Sequence, residues 1–241
     1  MAGQQLSQRL IPTIQTLYPC CSDETSVLLI IALLPVALAS AQVPMRDIFA
    51  AMPDSVLPLV TKNDRLDCID FIENHMEAKV RNRMGAFVQL DTLTADYLRF
   101  RTSKRAWLEM RSLTWQPNDS TSQQLVALVQ TVEGGFGASA VRHSNLRFIN
   151  PDWTPAAGAT VAMPPLADYF TGVLTDSALV EPASHARLSL AHFTVVELRL
   201  SASAPTLTCL LQTGDLSREE REAATQLVQP VVLHWQKTGW R

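Results

Sequence analysis

Tyr97-Leu98-Arg99-Phe100-Arg101-Thr102, Ser103-Lys104-Arg105 and Ala106-Trp107-Leu108-Glu109-Met110-Arg111-Ser112-Leu113 form the stretch on which the fold turns. Side chains alternate across a strand, so Leu98, Phe100 and Thr102 project one way and Tyr97, Arg99 and Arg101 the other. One apolar and one arginine-bearing face suit an antiparallel sheet with a wet side. Ser103-Lys104-Arg105 is a tight connection, and the runs on either side predict a hairpin.

Downstream the pattern repeats. Gln116-Pro117-Asn118-Asp119-Ser120 is a turn signal, followed by a strand over Leu125–Val132. Glu133-Gly134-Gly135-Phe136-Gly137 closes a further hairpin, in which glycine supplies positive φ, before a strand over Ala138–Ile149. Successive hairpins predict a meander. Asn150–Pro165 reads as a loop, Leu166–Phe170 as a short helical patch, and the next 20 or so residues as irregular. Leu188–Leu200 and Thr206–Gln212 read as strands. Ser217-Arg218-Glu219-Glu220 is a capping box ahead of a helix that Pro230 ends. Val231–Trp235 is a last strand, extended by Gly239-Trp240.

Upstream, Phe87–Leu90 is one more strand, and before it the period is helical. A short helix over Asp47–Met52 is stopped by Pro53, because a proline disfavours helical geometry in the residue before it. A second short turn covers Val56–Val60. The next helix takes Asn63 or Asp64 as its cap. Leu66, Ile69, Ile72 and Met76 form its apolar stripe, widened by Cys68 and Phe71, opposite Asp67, Asp70, Asn74 and Glu77. Helices first, then a mostly antiparallel meander with one late helix and a final strand, is an α+β order. No linker separates two cores, so the expectation is one domain over residues 42–241, with Asn150–Pro165 as its seam if it has one.

The first 41 residues are of another kind. Val27–Ala41 is uncharged and almost wholly apolar, yet shorter than the roughly 20 residues a membrane-spanning helix requires. It ends in Ala39-Ser40-Ala41, the small-x-small pattern of a cleavage site. The expectation is a signal peptide cleaved after Ala41, export to the periplasm or cell envelope, and no membrane span thereafter. Cleavage removes Cys20 and Cys21 and keeps Cys68 and Cys209, as two buried thiols or as one disulfide. A formal net charge of −3 and a pI near 5.9 give no electrostatic footprint for nucleic acid.

Candidate chemistry is sparse. Asp64, Asp67, Asp70 and Glu73 have helical spacing, which makes a solvated face instead of a calcium loop. Cys68 and His75 lie two helical turns apart, about 10 Å, too far to share a zinc ion. His185 and His192 repeat that spacing across a loop-to-strand segment. Gly134, Gly135 and Gly137 open no helix and therefore cradle no phosphate. His143, Ser144 and Asp152 supply the letters of a triad, which only geometry identifies. The expectation is no catalytic residue, no metal and no cofactor. Of Trp107, Trp115, Trp153, Trp235 and Trp240, most read as core. Trp107 with Tyr97, Arg99 and Arg101 is the expected binding face.

Ile48-Phe49-Ala50-Ala51-Met52-Pro53-Asp54, Leu57-Pro58-Leu59, Asn63-Asp64-Arg65-Leu66-Asp67, Asp70-Phe71 and Val80-Arg81-Asn82-Arg83-Met84-Gly85 resemble an uncharacterised exported family of Bacteroides- and Prevotella-type bacteria (Bacteroidales), catalogued as a domain of unknown function. The closing capped helix, Pro230 and Trp-bearing strand are similar as well. The resemblance implies a signal peptide, an envelope location and a helix-plus-antiparallel-sheet fold, and no activity. The long leader, with Asp23 and Glu24 beside its apolar run, departs from the family's usual short basic one. The function expected is a non-enzymatic binding or assembly component whose partner is an envelope protein or a small ligand. The alternative is a small secreted hydrolase with a Ser/His/Asp or paired-acid site drawn from Asn150–His192.

Overall fold

The computed structural model describes residues 42–118, 121–171, 181–192, 194–214 and 216–241. The leader, Asp119 and Ser120 of the expected Gln116–Ser120 turn, and most of the segment before Glu181 lie outside them. Residues Gln42–Arg241 form one compact unit. Among the described residues no helix is long and apolar enough to cross a membrane.

Two short helices lead, α1 (Met45–Ala50) and α2 (Lys62–Glu73). The first starts two residues earlier than expected, and Val56–Val60 forms turns without a helix. The cap of α2 is Thr61, not Asn63 or Asp64: its hydroxyl accepts from the Asp64 amide, and the Asp64 carboxylate accepts from the Thr61 amide. This reciprocal pair satisfies two orphan donors where a single cap satisfies one. The buried stripe is Arg65, Cys68 and Ile69, and Leu66 and Met76 are left exposed. Arg65 displaces Leu66 because its buried guanidinium donates to the Val60 carbonyl (2.9 Å), the Met52 carbonyl and Asp54 Oδ1 (3.1 Å). It thereby pins the loop between the two helices.

Six strands follow as an antiparallel meander in sequence order: β1 (Lys79–Arg81), β2 (Phe87–Leu93), β3 (Tyr97–Ser103), β4 (Ala106–Asn118), β5 (Thr121–Gly134) and β6 (Val141–Ile149). The Ser103-Lys104-Arg105 hairpin stands where expected. So does the glycine-rich one, with positive φ at Gly135, where a Cβ would lie 2.5 Å from the Ser139 carbonyl oxygen. A one-turn 3-10 helix, Gly137–Ser139, delays β6 to Val141. One face of this sheet packs Val88, Leu90, Leu98, Phe100, Leu108 and Met110 against α1 and α2.

The other face carries what the periodicity did not separate, a second sheet. Its strands run β7 (Thr160–Val161), β11 (Gly239–Trp240), β10 (Val231–Gln236), β9 (Thr206–Leu211) and β8 (Val196–Leu200). Gly239-Trp240 turns back as a hairpin partner of β10 instead of extending it, and pairs in parallel with β7. Cys209, Leu207, Leu198, Leu200 and Trp240 meet Leu125, Ala127 and Val129 of the first sheet. Two further helices close this core, α3 (Glu181–His192) and α4 (Arg218–Thr225). The capping box of α4 is formed by Ser217 and Glu220 as expected, although the helix ends five residues before Pro230. Helix α3 corrects the strand expected from Leu188: Ala183, Ala186 and Leu190 are its buried side. Cys68 and Cys209 are free thiols in separate cores on opposite faces of the meander.

Strand β8 is the outer edge of the second sheet and lies across β4, β5 and β6. Its amides are not left bare. Leu198 N–H donates to Ser144 Oγ (2.9 Å) and Leu200 N–H to Glu109 Oε2 (3.3 Å), so side chains of the first sheet seal the edge.

Candidate anion-binding pocket

Beside β8, the arginine-bearing face of the meander stays open. The β-register runs Gln89, Arg101, Trp107, Thr131 and Ser144 across β2 to β6 in one row. Arg99 and Glu109 form the neighbouring pair, as do Glu133 and Arg142. From the second sheet, β8 contributes Glu197 and Arg199. The result is a pocket of about 220 Å³ lined by Arg99, Arg101, Lys104, Trp107, Arg142, Glu197 and Arg199.

Each guanidinium is held from below. A bulge in β2 leaves Asp91 without a cross-strand partner, between Leu90 opposite Phe100 and Thr92 opposite Arg99. Bulges re-aim side chains, and here the Asp91 carboxylate lies 3.0 Å from Arg101 and 3.9 Å from Arg99. Buried Glu109 lies 3.5 Å from Arg99. Arg142 donates to Glu133 (2.9 Å) and sits 3.6 Å from Glu197, which also takes both Arg199 nitrogens at 2.6 and 3.1 Å. The Glu133 hydrogen bond is the main reason Arg142 holds its proton more tightly than an ordinary arginine. Arg99 and Arg142 both approach the Trp107 ring, their guanidinium carbons 5.6 and 5.5 Å from its centroid. The acids are mostly buried and the arginines roughly half exposed, so the free edges of the guanidinium forks face solvent. Among the described residues Lys104 makes no ion pair. Five cations over four carboxylates make this a positively charged concavity in a chain of net charge −3.

Of the four residues expected on a binding face, three lie together. Arg99, Arg101 and Trp107 share the pocket; Tyr97 does not, being 3% exposed with its hydroxyl donating to Glu109 (2.9 Å). Burial, reinforced by Glu109, pushes the Tyr97 hydroxyl far above its usual range. Burial likewise raises the Glu109 carboxyl against the opposing pull of Tyr97 and Arg99. Arg142, Glu197 and Arg199 could not be found by reading along the chain, because they come from strands distant in sequence.

The other candidates do not converge. Ser144 bonds Thr131 (2.8 Å) and the Leu198 amide, the adjacent His143 is exposed on the opposite face, and Asp152 accepts from Thr154 in a loop. Among the described residues no three His, Cys, Asp or Glu side chains gather as a metal site. His185 and His192 both lie on α3, not across a loop and a strand. His75 is exposed at the end of α2 with φ 59°, while Cys68 is buried beneath that helix. Glu73 pairs with Arg46 (2.7 Å). Trp240 is core, Trp235 and Phe148 pack around it, and Trp153 donates to the Ile48 carbonyl (2.8 Å).

The fold is similar to that of a domain of an uncharacterized protein from Porphyromonas gingivalis W83, with a TM-score of 0.64, 24% identity, and coverage of 82% of this chain and 96% of that one. At that identity the likeness speaks for the fold alone. No curated protein matches the sequence. Residues 37–240, which take in almost every described residue, match the family described as Protein of unknown function (DUF3256), and the chain belongs to that family.

Proposed function

We propose that the protein is an exported, non-catalytic binding component of a bacterial envelope, and that it holds a small ligand bearing carboxylate, sulfate or phosphate groups in the arginine pocket. The observation that carries this reading is the set of guanidiniums propped outward around Trp107 by buried acids. Oriented donors lose little freedom when an anion arrives, and two parallel N–H bonds from one guanidinium match the oxygens of such groups. The leader, with its Ala39-Ser40-Ala41 site, supports the location.

Calorimetry and thermal melting at low salt, with inorganic phosphate, sulfate and citrate as probes, test the site. A saturating ligand at about 100 times its Kd raises stability by about 2.7 kcal/mol. Arg142→Ala and Arg199→Ala are each expected to weaken binding about tenfold or more. Anions that leave the melting temperature unchanged overturn the reading. Expression from Met1 in a Gram-negative host tests the location: a periplasmic product starting at Gln42 is expected, and a cytosolic product keeping its leader refutes export.

A further inference from the structure

The two ends of the six-stranded meander differ in chemistry. In an antiparallel meander alternate turns share an end, so the β1–β2, β3–β4 and β5–β6 turns lie together. They read Asn82-Arg83-Met84-Gly85-Ala86, Ser103-Lys104-Arg105 and Gly135-Phe136-Gly137-Ala138-Ser139-Ala140, with three cations and no acid. The opposite turn between β2 and β3, Thr94-Ala95-Asp96, carries an acid and no cation. The basic end is also the apolar one. Phe136 is 81% exposed, Met84 76% and Phe87 50%, each too large and too bare to be explained by the fold. Their surroundings hold them in place. The Arg105 guanidinium stacks on the Phe136 ring at 4.3 Å and donates to the Gly135 carbonyl (2.7 Å), and Arg81 stacks on Phe87 at 4.5 Å. Asn82 ties its turn together by accepting from the Met84 and Ala86 amides at 3.0 and 3.1 Å.

Apolar side chains on turn tips with cations beside them match the layering of an anionic bilayer surface; the acids next to them, Asp54 and Glu133, are each paired with an arginine, Arg83 at 3.8 Å and Arg142 at 2.9 Å. Phosphates sit outermost there, and apolar groups reach a short way below them. We infer that this end of the meander docks on an anionic lipid surface, Met84 and Phe136 entering the headgroup region while Arg83, Lys104 and Arg105 meet lipid phosphates. This end shares Lys104 alone with the arginine pocket.

The test is sedimentation of the full described unit, Gln42–Arg241 preceded by its own leader and recovered as the host processes it, with two vesicle types. One is phosphatidylcholine alone and the other phosphatidylcholine with roughly a third phosphatidylglycerol. Binding to the second and not the first is expected, falling steeply as salt rises. The paired change Lys104→Glu with Arg105→Glu is expected to lower partitioning about tenfold or more. Met84→Ser with Phe136→Ser is expected to lower it similarly while leaving the melting temperature unchanged, since both side chains are exposed. Arg199→Ala, which lies on the second sheet, is expected to lose soluble anions and keep vesicles, so the two readings fail separately. No binding to anionic vesicles, or equal binding by wild type and both paired variants, overturns the inference.

Discussion

With its carboxyl group enclosed by Tyr97, Arg99 and the Leu200 amide, Glu109 holds its proton more tightly in the folded chain than in the unfolded one, because burial disfavours the charge. The folded chain therefore binds more protons than the unfolded chain above the ordinary carboxylate value of 4.5, and its stability falls as pH rises through the elevated value. Glu109→Gln keeps the shape and removes the titration. Melting temperatures from about pH 4 to about pH 8 are expected to show a shallower decline in the variant than in wild type. The thiols make a second residue-scale case. Burial pushes Cys68 up to about 12 and Cys209 up to about 11, so almost no thiolate exists at neutral pH. Maleimide labelling at neutral pH, mapped by mass spectrometry, is expected to miss both in the native protein and to mark both once denaturant is added.

Among the elements, α2 buries Arg65 alongside Cys68 and Ile69. Arg65→Ala leaves the Val60 and Met52 carbonyls without their donor and opens a cavity, at a cost of about 3 kcal/mol in chemical denaturation. Arg65→Lys is expected to recover little of it, since an ammonium does not reproduce the fork that spans three acceptors. The same helix shows where reading along the chain succeeds. Its existence and its acidic outer face are local properties of the residues Asn63 to Glu77. Its cap was misplaced because Asn63 and Asp64 are themselves good caps, and only the reciprocal bond selects Thr61. Helix α3 was missed for a different reason. Its buried side is mostly alanine, which leaves little apolar contrast, and the apolar residues from Leu188 onward run straight into β8. The meander was readable because each of its pairings joins neighbours in sequence. The second sheet was not, since β7 pairs with β11 across most of its length, and no local pattern announces a parallel pairing of two-residue strands.

On the scale of the whole molecule, the second sheet is fastened by Trp240. It is fully buried, stacks on Phe148 of the first sheet at 5.6 Å and meets Trp235 edge-on at 5.1 Å. Trp240→Ala is expected to cost about 4 kcal/mol, read as a lower denaturant midpoint. Intrinsic fluorescence and circular dichroism should still lose structure together if both sheets unfold as one. The sealed edge of β8 bears on how this fold drifts in sequence. Glu109 meets β8 through a backbone amide, which any residue but proline supplies at position 200, but it meets Tyr97 and Arg99 through their side chains. Relatives that have lost the acid at 109 should therefore have lost the hydroxyl at 97 and the cation at 99 with it, while position 200 varies freely among apolar residues. Substitutions at 97, 99 and 109 would then be inherited as a group, and the pocket would lose its Arg99 corner in one step while Arg101, Arg142 and Arg199 keep their own acids.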